Sequence, residues 1–132
     1  MAINMKNDED YYRVIFRSKP YWIKNGHPTS AFFKSENGVS MDKKGQRTED
    51  DVCDAFKLRF SKTLKGVVKL PDEAVKKAEA YVKQAASLKN PYHVELYNDK
   101  TEAPLTILKA LILADASSVL FINDKPSWTC SK

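Results

Sequence analysis

The chain has 132 residues, of which 42% are hydrophobic and 30% charged, and this balance is typical of one globular domain rather than a disordered or fibrous chain. The longest apolar stretch, residues 105–116, is broken by Lys109 and Asp115, so it falls short of the roughly 20 apolar residues that span a bilayer. The N-terminus is polar, and two cysteines are too few for a disulfide framework, so we expect a cytoplasmic protein with reduced thiols and no membrane association.

The net charge of +5 is unevenly placed along the chain. Residues 1–66 hold 13 Lys and Arg against 9 Asp and Glu, and all four arginines lie there. Arginine offers a planar fork of donors that suits phosphate and carboxylate, so the asymmetry indicates an anionic partner. The alternative is an ordinary lysine-rich solvated surface.

The first third of the chain predicts β-structure. Tyr11–Arg17 is rich in β-branched and aromatic residues and predicts a strand, and residues 18–29 predict an irregular loop with Pro20, Gly26 and Pro28 as breakers. Residues 30–35 and 39–42 flank Asn37-Gly38, a dipeptide that tolerates the positive φ of a type I′ turn, and this pattern predicts a β-hairpin.

Helices and strands then alternate. Thr48 predicts the N-cap of a helix over residues 49–64, and Val67–Leu70 predicts a short strand. Pro71 begins a second predicted helix, which ends at Asn90-Pro91 and is followed by a strand over residues 92–97. A third helix is predicted from residue 101 or 102, with Pro104 in its first turn and a core stripe of Leu105, Leu108, Leu111 and Ile112, before a final strand over residues 119–122.

These elements predict a single α+β domain in which an N-terminal strand and hairpin precede alternating helix-strand units that pack on a mixed sheet with parallel pairs. Residues 1–10 and 127–132 are expected to be loose, with Trp128 docking back on the body.

Common site motifs are missing from the sequence. The four glycines form no dinucleotide-binding or phosphate-loop pattern, and no serine stands in a nucleophile elbow. The two histidines and two cysteines never fall at metal-ligand spacing. We therefore expect no cofactor and no metal.

The two histidines stand in distinctive phrases, GHPTS around His27 and NPYHVEL around His93. If the strand of His93 neighbours the hairpin, one cleft could hold both imidazoles, which would act as acid and base, with Ser30 and Glu95 as orienting partners. Arg13 would stabilise the developing anion. The alternative is a loop histidine that caps a carbonyl and a half-buried strand histidine that never meets it.

Aromatic and basic residues interleave in the N-terminal third. Trp22 and neighbouring rings lie between Arg13, Arg17, Lys19 and Lys24, an arrangement that suits single-stranded nucleic acid. The alternatives are that these rings fill the core of a small β-layer or form a protein interface.

The phrases GHPTSAFF, VSMD and NPYHVEL resemble a family of small uncharacterised bacterial proteins that carry G-x-P-[ST]-S-x-x-F, S-[VM]-D and N-P-x-H-x-E segments. The resemblance covers residues 11–97 and implies no activity, cofactor or substrate. What it implies is a set of positions, namely Pro28, Ser30, Phe33, Ser40, Asp42, Pro91, His93 and Glu95.

Three functions stay open from the sequence. The first is an accessory or binding domain of a bacterium or phage, which recognises a partner protein, a second copy of itself or a phosphate-containing ligand through Arg13, Arg17, Trp22 and Asp42. The second is a metal-independent enzyme acting on nucleotides or nucleic acid with His27 and His93. The third is a nucleic-acid binder without chemistry. The lack of a strong catalytic motif favours the first.

Overall fold

The computed structural model describes residues 9–122. The strands are β1 (Asp10–Phe16), β2 (Ile23–Lys24), β3 (His27–Pro28), β4 (Val39–Lys43), β5 (Leu64–Pro71), β6 (Tyr81–Gln84), β7 (His93–Tyr97) and β8 (Ser118–Ile122). The helices are α1 (Glu49–Arg59), α2 (Asp72–Ala78) and α3 (Ile107–Ala116), and short 3₁₀ turns cover Pro20–Trp22 and Ser30–Phe33.

Six strands form one sheet in the order β6-β7-β4-β1-β5-β8, while β2 and β3 form a separate two-stranded ribbon. Both sheet neighbours of β1 pair with it antiparallel, and the pairings β4–β7, β5–β8 and β6–β7 are antiparallel as well. The single α+β domain is therefore confirmed. The parallel pairs predicted for the second half are wrong, because β6 and β7 are joined as an antiparallel pair instead of by a helical crossover.

Two layers of packing cover the sheet. On one face, Tyr11 and Ile15 of β1 belong to a large core that includes residues of α2 and α3 and the 3₁₀ turns. On the other face, Tyr12 and Val14 pack against Val52 and other apolar residues of α1. Within residues 9–122 the second core consists of residues of β1, α1 and β5, with partly buried residues of β8 packed against it, and the β4–β7 half of that face carries polar side chains. This half positions the site described below.

The start of α1 is confirmed at residue level. Thr48 Oγ1 accepts a hydrogen bond from the Asp51 backbone N–H at 3.1 Å, and the Asp51 carboxylate accepts one from the Thr48 N–H at 3.2 Å. This reciprocal capping box satisfies amides that have no partner within the helix. The helix ends at Arg59 rather than at Leu64, which instead begins β5.

The predicted hairpin around Asn37-Gly38 is wrong. Residues 30–33 form a 3₁₀ turn because Phe32 and Phe33 are both fully buried, which an isolated two-stranded hairpin could not achieve. A tight turn of the expected kind does occur at the other Asn-Gly pair: Asn25 and Gly26 both adopt positive φ, at 55° and 75°, and connect β2 to β3.

The second helix is shorter than predicted. It stops at Ala78, where Glu79 turns into the left-handed region, and Tyr81–Gln84 then forms the edge strand β6. The helix-forming composition of residues 72–89 is overridden by pairing of Val82 with Leu96 and Tyr81 with Tyr97.

The third helix begins at Ile107 after the N-cap Thr106, so Pro104 precedes it instead of lying in its first turn. Its buried residues are Ala110, Leu113 and Ala114, whereas Leu108 and Leu111 are 67% and 50% exposed. The predicted core stripe is therefore wrong for Leu108 and Leu111.

The final strand is confirmed as β8, while Asp10 already belongs to β1 and is not loose. The expectations for residues 1–8 and 127–132, including Trp128, lie outside the described residues. Among the helices of the described residues, none has the length and apolar character needed to cross a membrane.

Candidate functional site

The site lies on one face of the β4–β7 pair. Asp42 is opposite His93 and Ser40 is opposite Glu95 in this antiparallel register. Since side chains two residues apart along a strand share a face, and opposite residues on paired strands point the same way, all four side chains lie on one side of the sheet. The structure thus brings together His93, Glu95 and Asp42 of the predicted residues.

Asp42 is the buried centre of the cluster, with 3% of its surface exposed. Its Oδ1 accepts a hydrogen bond from Asn90 Nδ2 at 2.9 Å, and its Oδ2 lies 3.4 Å from a guanidinium nitrogen of Arg59. The distance from Oδ1 to His93 Nδ1 is 3.9 Å, which is too long for a hydrogen bond. A buried carboxylate is stable only when polar groups surround it, and Asp42 has three.

His93 lies between two carboxylates. Its Nε2 is 3.5 Å from Glu95 Oε2, while its Nδ1 faces Asp42. Glu95 is fixed from its other side by Tyr97, whose hydroxyl donates to Glu95 Oε1 at 2.8 Å. This hydrogen bond to the carboxylate raises the pKa of Tyr97 above its ordinary value. The two carboxylates that flank the imidazole are thus themselves held in place by hydrogen bonds from Asn90 and Tyr97.

A pocket of about 270 Å³ opens between this cluster and α1. Its lining combines an apolar wall with a polar one, and includes Tyr12, Val14, Phe16, Phe56, Phe60, Ser40, Asp42, Arg59 and His93. The apolar wall comes from β1 and α1, and the polar wall comes mainly from β4 and β7. Ligand sites in proteins have this composition, with mostly apolar surfaces and a few fixed polar groups.

Arg59 provides the exposed cation of the pocket. It lies in the last turn of α1, and its guanidinium is 4.8 Å from the ring centroid of Phe60 and 5.5 Å from that of Phe56. Its side chain is 43% exposed, so donors not directed at Asp42 can reach solvent or a ligand. The aromatic contacts and Asp42 together orient the guanidinium plane.

His27 lies elsewhere. It is exposed on β3, which contacts β8 and α3, whereas His93 is on β7, separated from β8 by β4, β1 and β5. With strands about 4.8 Å apart, four steps across the sheet alone exceed the reach of two imidazoles to one reacting atom. Ser30 lies with His27 in the segment that packs near α3, away from Glu95. The structure does not bring the predicted pair together.

Arg13 is among the residues that line the pocket, but its side chain is directed to the opposite face of β1. Its guanidinium donates to the Phe32 carbonyl and packs over the Trp22 ring, 4.3 Å from the centroid. Burial lowers the pKa of Arg13 to about 10. Trp22 is itself 7% exposed and in contact with Phe16 and Phe32. Arg13, which was expected to bind an anion, and Trp22, which was expected to bind a ligand, thus pack against each other in the core.

Arg17 follows the end of β1, where its backbone N–H donates to the Thr63 carbonyl at 2.9 Å. It does not adjoin His93, since β4 separates β1 from β7, and β1 pairs with β4 at Tyr11 and Tyr12, at the other end of the strand from Arg17. The predicted aromatic surface is also corrected: Tyr11, Tyr12, Trp22, Phe32 and Phe33 are all buried, and they form core rather than a continuous stacking platform.

Sequence reasoning missed Arg59, Asn90 and Tyr97. Arg59 follows Phe56 by three positions, so it shares a side of α1 with a predicted core residue, and that spacing was the available signal. Asn90 opens the NPYH phrase, and Tyr97 alternates with Glu95 and His93 on the same strand face. Their convergence on Asp42 and Glu95 depends on the pairing of β4 with β7, which no local pattern indicates.

Within residues 9–122, no group of three or more His, Cys, Asp and Glu side chains has the arrangement needed to hold a metal ion. No protein-family model matches this chain, and no curated protein or solved structure is significantly similar to it. The resemblance to small bacterial proteins therefore stays a prediction, and a functional assignment depends on the chemistry of the pocket itself.

Proposed function

We propose that the protein binds a small phosphate-containing ligand with a flat ring, of which a nucleotide is the simplest representative, in the pocket between α1 and the β4–β7 pair. The observation that carries this proposal is the composition of the pocket: aromatic walls, one exposed guanidinium and a buried carboxylate beside a histidine. Each of these groups has a counterpart in such a ligand.

Arg59 is the phosphate contact in this proposal. Its guanidinium is planar and offers five donors, and the 3.4 Å contact with Asp42 occupies one nitrogen. Arginine binds phosphate through parallel hydrogen bonds, and packing on the rings of Phe56 and Phe60 reduces the conformational freedom lost on binding.

Asp42 and His93 recognise the edge of the ring. Asp42 accepts hydrogen bonds, and His93 donates or accepts according to its proton, so the pair suits a heterocycle that presents N–H groups and ring nitrogens. The partly exposed ring of Phe60 supplies the apolar surface against which a heterocycle lies, and the buried rings of Tyr12 and Phe56 support the wall behind it. The volume of about 270 Å³ lies just below the range of about 300–1,000 Å³ usual for small-molecule pockets, so it suits the ring, and the rest of a nucleotide would extend past Arg59 toward solvent.

A binding role is proposed ahead of catalysis because the geometry does not support the acid–base pair on which the enzyme alternative depended. His27 and His93 lie on different elements at opposite sides of the fold. The buried aromatic residues likewise remove the basis on which Trp22 and Arg13 were expected to contact a ligand.

Calorimetric titration with common ribonucleoside monophosphates, the matching nucleosides and inorganic phosphate tests the proposal. We expect at least one monophosphate to bind more tightly than its nucleoside. Arg59→Gln is expected to weaken that binding about ten- to a hundredfold, which is the usual loss of affinity when one hydrogen bond to a charged group is removed. Lys57→Gln is the matched control, because Lys57 is on the same helix and contacts Asp54 and Phe121 instead.

Two outcomes contradict the proposal. One is the failure of every monophosphate to bind at millimolar concentration, about the weakest affinity that such a pocket would give. The other is binding that Arg59→Gln and Lys57→Gln weaken equally, which would indicate attraction to overall charge rather than to this pocket.

A further inference from the structure

Two segments of the chain contain no acidic residue. No Asp or Glu occurs in residues 11–35 or in residues 55–71, although each segment holds five Lys and Arg. Three of these cations, Lys57, Arg59 and Lys69, contact carboxylates supplied by other parts of the chain. The lysines considered next have no such contact within residues 9–122.

The fold places parts of these two segments side by side. The Arg17 backbone N–H donates to the Thr63 carbonyl at 2.9 Å, and the rings of Phe16 and Phe60 are 5.4 Å apart in an edge-to-face contact. Phe16 also pairs with Leu64 at the start of β5. The turn after β1 and the loop before β5 therefore form one surface, here called the basic end and defined by Lys19, Tyr21, Lys24, Lys62 and Lys65.

The lysines of the basic end are directed to solvent. Lys24 and Lys62 are exposed, and Lys19 and Lys65 are partly so. Residues 16 and 64 are paired with a register shift that leaves Lys65 outside the regular ladder. None of the four forms a salt bridge with an acidic group in the part of the chain that the structure describes.

Tyr21 adds an aromatic ring to this surface. It is 57% exposed, unlike the buried rings around it, and lies in the 3₁₀ turn between Lys19 and Lys24. The turn is held in place by Thr29, whose hydroxyl donates to the Tyr21 carbonyl at 2.7 Å, and by Trp22, which is anchored in the core. The ring is thus presented on a fixed backbone, which reduces the entropy lost when something stacks on it.

We propose that the basic end is a binding surface for single-stranded nucleic acid, with Tyr21 stacking on a base and the four lysines following the phosphates. Cations that flank an exposed ring are the combination by which proteins bind single strands without sequence preference. An anionic lipid surface would use the lysines but not the stacking ring, so removal of that ring separates the two partners. The surface is distinct from the pocket of His93 and does not depend on it.

Fluorescence anisotropy with a labelled oligothymidylate of about 12 nucleotides, a length within the usual site sizes, tests this proposal. We expect the logarithm of the affinity to fall linearly with the logarithm of salt concentration. The double substitution Lys19→Gln and Lys24→Gln is expected to make that slope shallower by about 1.4, at about 0.7 per phosphate contact. Tyr21→Ala is expected to weaken binding between about 5-fold and 150-fold, the measured range for loss of one stacked base.

Lys77→Gln with Lys89→Gln is the matched control, because both lysines are exposed and lie away from the basic end, Lys77 on α2 after β5 and Lys89 before β7. It should leave the slope nearly unchanged. His93→Asn should leave oligonucleotide affinity unchanged, so failure of the pocket proposal and failure of this one are distinguishable. The proposal is overturned if the control weakens binding as much as the Lys19 and Lys24 substitutions do. It is also overturned if Tyr21→Ala has no effect, or if vesicles of anionic lipid bind and the oligonucleotide does not.

Discussion

Replacing Asp42 by alanine is expected to lower the free energy of unfolding by about 2–4 kcal/mol at neutral pH. The carboxylate is 3% exposed, and three polar groups surround it. The hydrogen bond from Asn90 at 2.9 Å is made to a charged acceptor and is worth about 1.5–3 kcal/mol. Arg59 is 43% exposed, so solvent screens its contact and reduces it to about 0.2–1 kcal/mol. The more distant His93 adds little.

The same substitution also affects the turn before β7. Asn90 uses its carbonyl oxygen to accept from the Tyr92 backbone N–H at 3.1 Å, so one side chain links Asp42 to the start of the strand that carries His93. Asp42→Asn keeps one oxygen that can accept from Asn90, but it loses the charge and replaces the oxygen facing Arg59 by an NH2 group, which cannot accept. We therefore expect its cost to be smaller, at about 1–2 kcal/mol.

Urea denaturation measured by circular dichroism gives both values, and Asp54→Ala is the matched control. Asp54 is 73% exposed with its cation partner 4.0 Å away, so its removal should change stability by no more than about 0.5 kcal/mol. If the cost of burying the carboxylate exceeded the contribution of its partners, Asp42→Ala would be neutral or stabilising. That result would refute the view that the polar groups around Asp42 stabilise its buried carboxylate.

Three further predictions test the packing and its electrostatics. Burial alone would raise the pKa of Glu49, but hydrogen bonds from Lys69 and Tyr12 outweigh it and keep this pKa below its ordinary value. The stabilisation of the fold by Glu49 is therefore fully present above the pKa that Glu49 has in the unfolded chain. It is lost as the pH falls through the lower pKa of the folded state. Glu49→Gln should therefore be less stable than the parent at pH 7, and denaturation across pH should show the difference shrinking as pH falls below the ordinary glutamate pKa of about 4.3 and vanishing only below the lower folded pKa. Leu113→Ala should cost about 2–5 kcal/mol and Leu108→Ala less than about 0.5, and equal thermal shifts would contradict the observed orientation of α3. Gly38→Ala would place a Cβ 2.6 Å from the Tyr97 ring at φ +89°, so its melting temperature should fall by an amount equivalent to about 1–3 kcal/mol, and an unchanged value would refute the clash.

The elements that the sequence predicts well are those with local signals. Thr48 and Asp51 form the capping box because their spacing alone allows it, and the strand over residues 92–97 alternates strictly enough to put His93 and Glu95 on one face. The sequence contains two Asn-Gly dipeptides, and the hairpin turn predicted at Asn37-Gly38 is found at Asn25-Gly26 instead. Burial of Phe33 and its neighbour, a tertiary effect, decides between the two positions.

The remaining features depend on which strands become neighbours. Residues 81–84 have helical composition, and only pairing with β7 makes them a strand. Arg13 lies in β1 between the buried residues Tyr12 and Val14, and nothing in its neighbours indicates that it packs beneath Trp22 on the face away from the pocket. Whether His27 meets His93 was likewise a question of topology, and the sheet order answers it.

Proton NMR of the two histidines tests the pocket proposal most directly, because the chain has only His27 and His93 and their ring protons give two sets of signals. During titration with the ribonucleoside monophosphate that binds best, the signals of His93 should shift and saturate with the calorimetric affinity, while those of His27 should stay in place. His93→Asn assigns the signals. Saturating binding that leaves His93 unmoved, or that shifts His27 as much, would contradict the proposal that the pocket beside Asp42 is the binding site.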